Sequence, residues 1–503
     1  MTPTRILLAA SLFISGVALA RSADDASAKL PRSTPEEQGV SSAGVLGFVE
    51  GAEQEVDALH SLMIVRHGHV VAEGWWSPYA AGEPHMLYSL SKSFTSTAVG
   101  LAIAEGKLSL DDPVLKFFPD QAPALPCKNL QSMRVRDLLR MSSGQRADDI
   151  SGFPFTANAD LVKAFLELPV PDVPGTHFVY NTPGTYMLSA IVQKATGQTV
   201  LDYLRPRIFE PLGMGSPRWD ASAQGISLGG LGLNLRTEDI ARFGQLYLQK
   251  GAWQGRQLIP AAWVEEATSR QTANGSDPES DWNQGYGYQF WRCRHGFFRG
   301  DGAFGQFCIV MPQFDAVVAI TSGTGDMQGV MNLVWERIVP ALAASALPAD
   351  PASDARLSAK LSGLTLRTQE GQATSPMAAT VSGRRYVLPA NPMGLEAVSL
   401  KAPDGTGGTV ITVAIKGSDQ RIECGKGNWT RGSFAMGGEA VPVAVSGAWT
   451  SDDTYSFISC RTRTPYVTSW DLRFSGDKVI VESTDNVGLI KPEHIKLTGA
   501  AQP

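Results

Sequence analysis

Ser89 and Lys92 stand three positions apart in Ser89-Leu90-Ser91-Lys92, at the start of a run of small and apolar residues that stops at Gly106. On a helix, residues at that spacing share a face, so the lysine amine can reach the serine hydroxyl. A serine hydroxyl is inert as a nucleophile until a neighbouring group takes its proton. The positive end of a helix dipole and partial burial both disfavour an ammonium at that place, which pulls Lys92 toward a neutral base. The chemistry open to such a pair is acyl transfer, in which the serine oxygen attacks a carbonyl carbon and holds the acyl group until water removes it. A second serine competes for the role. Gly225-Ile226-Ser227-Leu228-Gly229 fits the G-x-S-x-G elbow, yet an elbow needs a buried strand before it and a helix directly after it. Residues 218–224 are not strand-like and Gly230-Leu231-Gly232-Leu233 follows, so the segment reads as a glycine-rich loop lining a cleft.

Two further stations lie downstream. Phe178-Val179-Tyr180-Asn181-Thr182 follows Val173-Pro174-Gly175-Thr176, and Gly300-Asp301-Gly302-Ala303-Phe304-Gly305-Gln306 sits between two strand-like runs. In this order the three stations resemble those of the penicillin-recognising serine hydrolases, the superfamily of serine β-lactamases, DD-peptidases and related esterases, with S-x-x-K, then S/Y-x-N, then K/H-T-G. Leu138-Leu139-Arg140-Met141-Ser142-Ser143-Gly144, Glu210-Pro211-Leu212-Gly213-Met214 and Gly229-Gly230-Leu231-Gly232-Leu233 resemble stretches of its class C β-lactamase-like branch, which includes esterases and aminohexanoate-dimer-type hydrolases. The similarity spans roughly residues 33–345.

The resemblance implies that Ser89 is the nucleophile and that Lys92 and Tyr180 form the base system. It implies that the tetrahedral oxyanion is held by the backbone N–H groups of Ser89 and Ala303, with Gly302 permitting close approach. Asp301 and Thr182 occupy its substrate-binding positions. Two departures from the pattern bear on substrate. Thr182 stands where the family has asparagine, Asn181 being displaced by one, and Gly300 stands where it has lysine or histidine, with Arg299 the nearest cation. Both departures favour an esterase or amide hydrolase. A β-lactamase or D-alanyl-D-alanine carboxypeptidase is the alternative, and a catalytically silent penicillin-binding fold kept as a scaffold or binding module is the second. A lysine placed at position 300 would return the cation if space allows.

These residues must be positioned by elements of two kinds. A hairpin over residues 62–76 is expected to pair with strands at 286–290, 304–310 and 316–320, and helices are expected over 89–105, 186–196 and 237–250. The fold class is therefore α+β: an antiparallel sheet flanked by helices with a mainly helical lobe, β-lactamase/transpeptidase-like by resemblance, plus a C-terminal all-β, barrel-like domain. The latter rests on short strands at 410–415, 421–424, 454–459, 470–474 and 478–482. The domain boundaries that follow are 29–345 for the hydrolase domain, 346–383 for a linker and 384–503 for the β domain.

Residues 1–20 read as an export signal, with a basic start at Arg5, an apolar stretch and Ala18-Leu19-Ala20 as cleavage site. The expected location is thus periplasmic or secreted, with no membrane span. Five cysteines in an oxidising compartment allow two bridges, Cys293 with Cys308 and Cys424 with Cys460, leaving Cys127 free. With 43% hydrophobic residues, 18% charged residues and a net charge of −6, the chain has no basic stripe for nucleic acid. His67 and His69 read as the two ends of a hairpin turn, with no third ligand spaced to make a metal site. His85 stands four residues before Ser89 and is the one histidine that could line the cleft. No cofactor is implied, the partner is a small ester or amide, and oligomeric state is left open.

Overall fold

The computed structural model describes residues 29–56, 58–146, 153–154, 159–403, 408–436, 439–489 and 491–502. The export-signal segment, residues 1–20, lies outside the described residues. The main elements of the first unit are α1 (Ser42–Gly51), β1 (Leu59–Arg66), β2 (His69–Trp75), α2 (Ser91–Ala104), α3 (Thr182–Thr196), α4 (Thr237–Leu248), β3 (Trp291–Arg292), β4 (Phe298–Gly302), β5 (Gln306–Met311) and β6 (Ala316–Ser322). The strands form one antiparallel sheet in the order β2-β1-β6-β5-β4-β3.

Both faces of this sheet are buried, and the period-two alternation of each strand sorts its side chains between two cores. Met63, Val65, Cys308, Val310, Val317 and Ala319 face α4 and the helical lobe built from α2 and α3. Leu62, Ile64, Phe307, Ile309, Val318 and Ile320 face the opposite layer, which contains α1 and the segment around Trp335. That alternation also decides the first of the two expected bridges. Cys308 points to the α4 side, its sulfur bonding the Ile240 carbonyl, while Cys293 belongs to the other core. They cannot meet across the sheet.

Beyond β6 the chain forms α5 (Pro351–Ser362), which packs on α1 and β2 within the stretch read from sequence as a linker. The second unit follows as ten strands: β7 (Arg385–Val387), β8 (Leu395–Lys401), β9 (Thr409–Ile415), β10 (Ser418–Cys424), β11 (Thr430–Met436), β12 (Glu439–Trp449), β13 (Thr454–Arg461), β14 (Val467–Ser475), β15 (Lys478–Asp485) and β16 (His494–Ala501). Their order is β10-β9-β8-β7-β16-β15-β14-β13-β12-β11, so the first strand pairs with the last. The two outer strands, β10 and β11, curl toward each other, and the Gln420 side-chain amide bonds both the N–H and the C=O of Ala435 across the gap. The result is a nearly closed barrel. Tyr386, Trp449, Tyr455 and Phe474 fill one end, and a mainly apolar cavity of about 150 Å³ occupies the rest, walled by residues such as Leu395, Ile411, Phe457 and Trp470. None of the candidate site residues lines it.

Sequence reasoning found five of these ten strands and missed β7, β8, β11, β12 and β16. It also expected a strand at 286–290, where the structure has only isolated bridges from Tyr286 to Thr272 and Trp291 around a left-handed Gln289 (φ 63°). Gln289 bonds the Leu138 and Leu139 carbonyls with its own side chain, so the aromatic run wraps the helical lobe instead of extending the sheet. The second expected bridge fails for the same geometric reason as the first. Cys424 packs inside the barrel and Cys460 faces outward onto the hydrolase unit, and all five cysteines are free thiols. No helix among the described residues is long and apolar enough to cross a membrane.

Candidate active site

Ser89 sits in a single 3-10 turn, Tyr88–Leu90, that runs directly into α2. The turn is fixed by Ser91, whose hydroxyl donates to the Tyr88 carbonyl at 2.6 Å and accepts the Leu233 N–H at 3.2 Å. Ser89 remains partly exposed while its partner does not: Lys92 is 1% exposed. The Lys92 amine donates to Ser89 Oγ at 2.8 Å, to the Gly230 carbonyl at 2.9 Å and to Thr182 Oγ1 at 3.1 Å. Three oxygens surround the nitrogen and hold it in one place: an ammonium would donate to all three, whereas the neutral amine donates to Gly230 and Thr182 and turns its lone pair to the Ser89 hydroxyl. The expected contact across one helical turn is thus present. The Gly230 carbonyl is an addition that sequence reasoning missed, because a backbone acceptor carries no side-chain signal.

That carbonyl arrives on the glycine-rich loop read from the sequence as a cleft lining. A Cβ on Gly230 would lie 2.8 Å from Thr182 Cγ2 and one on Gly229 2.8 Å from Ser189 Cβ, so only glycines let the loop press against α3. Ser227, the competing serine, is buried and its carbonyl accepts the Ser189 hydroxyl. Among the described residues no lysine or histidine is hydrogen-bonded to the Ser227 hydroxyl.

The second station lies at the start of α3. Asn181 is the N-cap of this helix, its Oδ1 accepting the Gly184 N–H at 2.6 Å, and its Nδ2 donates to Gln145 and Ser143. The asparagine next to the tyrosine therefore serves the backbone, and Thr182 takes the place facing Lys92. Tyr180 stands on the other side of the cap. Its ring lies 4.8 Å from the Lys92 nitrogen and stacks on Trp291 at 5.4 Å, with Tyr286 edge-on. Trp291, on β3, was not foreseen as a neighbour of the site.

Strand β4 supplies the third station. Gly302 passes so near the nucleophile turn that a Cβ there would be 2.0 Å from the Leu87 carbonyl oxygen and 3.1 Å from the Ser89 nitrogen. Ala303 follows in the turn toward β5. Gly300, one alternation earlier, abuts α2 in the same way: a Cβ would be 2.4 Å from Leu90 Cδ1 and 2.6 Å from Ser93 Oγ. A lysine at 300 would have to displace the Leu90 and Ser93 side chains, so the space that substitution requires is not open as the chain stands.

Arg299 and Asp301 point the other way along the strand. Arg299 is fully buried, paired with Asp301 at 2.8 Å, and bonded to the Asp281 carbonyl and Cys293 sulfur, with Trp282 against its guanidinium. Burial lifts the Asp301 carboxyl above its ordinary value, opposed by Arg299 and more weakly by Lys92. Both members are committed to each other. Arg299, fully buried and paired, is thus no clamp for a substrate carboxylate, while Asp301 is held by Arg299 and lies close enough to Lys92 to feel its charge.

His85 does not line the cleft. It is buried, pairing with Leu235 in a short ladder, with Nε2 at 3.0 Å from His60 Nδ1, and Tyr79 stacks on His60 at 3.7 Å. Burial drives His60 well below the ordinary imidazole value and His85 down to about 4. His67 and His69 flank the β1–β2 turn as expected.

The barrel reaches the site through its β13–β14 turn. Tyr88 and Tyr466 share a hydrogen bond between their hydroxyls, and Phe304 packs edge-on to Tyr88 at 5.2 Å and beside Tyr466 at 5.9 Å. Burial, then the Tyr466 hydroxyl, pushes the Tyr88 phenol far above its usual range, so it stays protonated. The same turn accepts the Met86 N–H on the Arg463 carbonyl and the Tyr79 hydroxyl on the Thr464 carbonyl.

A serine and a lysine one turn apart on a helix between a helical lobe and an antiparallel sheet define a β-lactamase-type hydrolase site. The family model described as Beta-lactamase matches residues 52–339, more than half of the chain, and the protein belongs to that family of serine hydrolases. It is similar to the 6-aminohexanoate-dimer hydrolase of Paenarthrobacter ureafaciens, 25% identical over 53% of this chain and 73% of that one. Penicillin-binding protein 4 of Amycolatopsis lactamdurans is 26% identical over 62% of this chain and 88% of its own. Among solved structures, a Bacillus anthracis protein provisionally assigned as a 6-aminohexanoate-dimer hydrolase superposes with a TM-score of 0.52 at 20% identity, covering 62% of this chain and 87% of that one. That likeness supports the fold.

Proposed function

We propose that this chain is an exported serine hydrolase that forms an acyl-enzyme on Ser89 and cleaves small esters or amides. The observation that carries the reading is the Lys92 nitrogen, 2.8 Å from Ser89 Oγ and fixed by two further acceptors. In this mechanism Ser89 Oγ adds to the acyl carbon while its proton passes to the Lys92 and Tyr180 pair. The N–H groups of Ser89 and Ala303 receive the oxyanion, the leaving group takes the proton, and water hydrolyses the acyl-enzyme with the same pair as base. Neither Gly300 nor Arg299 offers a cation to the cleft, which favours substrates without a carboxylate to be clamped. A relative named for hydrolysing an aminohexanoate dimer supports an amide as well as an ester within reach.

The test is a panel of p-nitrophenyl esters, nitrocefin, D-Ala-D-Ala peptides and short aminoalkanoate oligomers with the wild-type chain and two variants. Short-chain esters should turn over readily and nitrocefin slowly. Ser89→Ala should lower kcat by about 10³ or more, and Ser227→Ala should leave it nearly unchanged. Full activity in Ser89→Ala overturns the reading, and rapid nitrocefin hydrolysis moves the substrate class to β-lactams.

A further inference from the structure

Two residues beside the site adopt a backbone conformation that bulky side chains avoid. Tyr88, directly before Ser89, has φ 47°, and Phe304, directly after Ala303, has φ 68°. The left-handed region is an outlier for aromatic residues and persists only where surrounding packing holds it. The two positions matter because the dihedrals of Tyr88 orient the Ser89 N–H, and Phe304 closes the turn that presents Ala303. Both aromatic side chains converge on one residue from the other unit. Tyr466 bonds the Tyr88 hydroxyl and packs on the Phe304 ring, while Tyr88 and Phe304 meet edge to face.

Tyr466 is itself rigidly mounted. Its N–H donates to Thr464 Oγ1 at 3.2 Å and its carbonyl accepts the Arg461 N–H at 3.1 Å. The Arg461 guanidinium lies 4.3 Å from its ring and is tied to Asp485 at 3.2 Å. The turn is anchored on the hydrolase unit from the other side by Asn486, which donates to the Gly323 and Pro465 carbonyls at 2.8 and 2.9 Å.

We propose that Tyr466, carried by the C-terminal barrel, is a positioning residue that sets the spacing of the two oxyanion-binding amides through Tyr88 and Phe304. The inference rests on the acyl-enzyme reading of Ser89 and extends it to the second domain. Tyr466 touches no reacting atom; it fixes the conformations of two residues that each neighbour a donor. A misplaced donor loses transition-state stabilisation more than substrate affinity, because the oxyanion exists only once the carbonyl has been attacked.

The experiment uses the full chain with Tyr466→Ala, Tyr466→Phe and Arg431→Ala. Arg431, on β11, ties the barrel to Glu83 and Pro78 without touching Tyr466, Tyr88 or Phe304, so its removal loosens domain docking and leaves the contacts of Tyr466 in place. Two readouts are taken: kcat and KM for p-nitrophenyl acetate, and inhibition by phenylboronic acid, whose boron takes up the Ser89 oxygen as a tetrahedral anion. Tyr466→Ala should lower kcat by about 10- to 100-fold and weaken the boronic acid by a similar factor, with KM within about twofold of wild type. Tyr466→Phe keeps the ring contact with Phe304 and should fall between, which also preserves the test if the alanine variant folds poorly. Unchanged kcat and boronic acid affinity in both Tyr466 variants would overturn the proposal, as would losses of equal size in Arg431→Ala. Ester turnover that survives Ser89→Ala is the separate result that removes the acyl-enzyme reading, and the positioning role with it.

Discussion

Single atoms decide much of this site. Gly302 is the clearest case, since any side chain there would meet the Leu87 carbonyl oxygen at 2.0 Å and the Ser89 nitrogen at 3.1 Å, both backbone atoms that cannot swing away. Gly302→Ala should lower kcat by about 10² or more by displacing a donor, and overpacking should cost about 1–3 kcal/mol of stability. Gly82→Ala, which meets nothing within 4 Å, should be silent in both measurements. A Gly302→Ala enzyme with wild-type kcat would show that β4 and the nucleophile turn are looser than this. At the same scale, Thr182 shows how a departure from a motif is accommodated: a hydroxyl serves where an amide is usual, because the requirement at that point is an acceptor for Lys92.

Among the elements, α3 couples stability to chemistry. Its N-cap, Asn181, lies between Tyr180 and Thr182, so the side chain that starts the helix also spaces two of the site residues. Asn181→Ala removes the cap and leaves the partners of its amide unsatisfied, for a loss of about 2 kcal/mol or more and a lower kcat. The urea midpoint should drop with the slope unchanged. Asn181→Asp keeps the acceptor for Gly184 and should recover part of the loss; identical midpoints for the alanine and aspartate variants would contradict the cap. This station was only half legible in the sequence. Ser89 and Lys92 could be read because four consecutive residues on a helix fix their own geometry. Thr182, 90 positions from Lys92, and the Gly230 carbonyl, 138 positions away, are joined to it only by the tertiary fold. The aromatic run from Tyr286 to Phe290 misled because its pattern suits a strand, while the left-handed Gln289 inside it cannot belong to one. The cysteine pairs failed on a rule that the sequence does carry, namely that side chains on a strand alternate between faces.

The whole molecule has a titratable seam between its two units. His60 and His85 are neutral in the fold because burial lowers both, His85 to about 4, against about 6.5 in an unfolded chain. Above pH 6.5 folded and unfolded chains are equally unprotonated at these groups, and the pair adds no pH dependence. Below it the unfolded chain takes up protons that the fold excludes. Stability should therefore fall as the pH drops from about 6.5 toward 4, by at most about 1.4 kcal/mol per pH unit for each imidazole. Thermal melts at pH 7, 6 and 5 would follow this, and His60→Gln, which removes one titrating group, should flatten the slope. A melting temperature constant across that range would rule out neutral burial of the pair.

The pairing of β7 with β16 carries a consequence for when this enzyme comes to exist. Arg385–Val387 opens the barrel and His494–Ala501 completes it, so the strand that joins β15 to β7 is made after every other strand of the barrel. Until it docks, both neighbours keep bare edges, and contacts of such long sequence separation form slowly. The Tyr88–Tyr466 contact spans 378 positions and depends on that late closure. A nascent chain thus carries its nucleophile and lysine hundreds of residues before it acquires the turn that braces them, so maturation of the site waits on closure of the barrel.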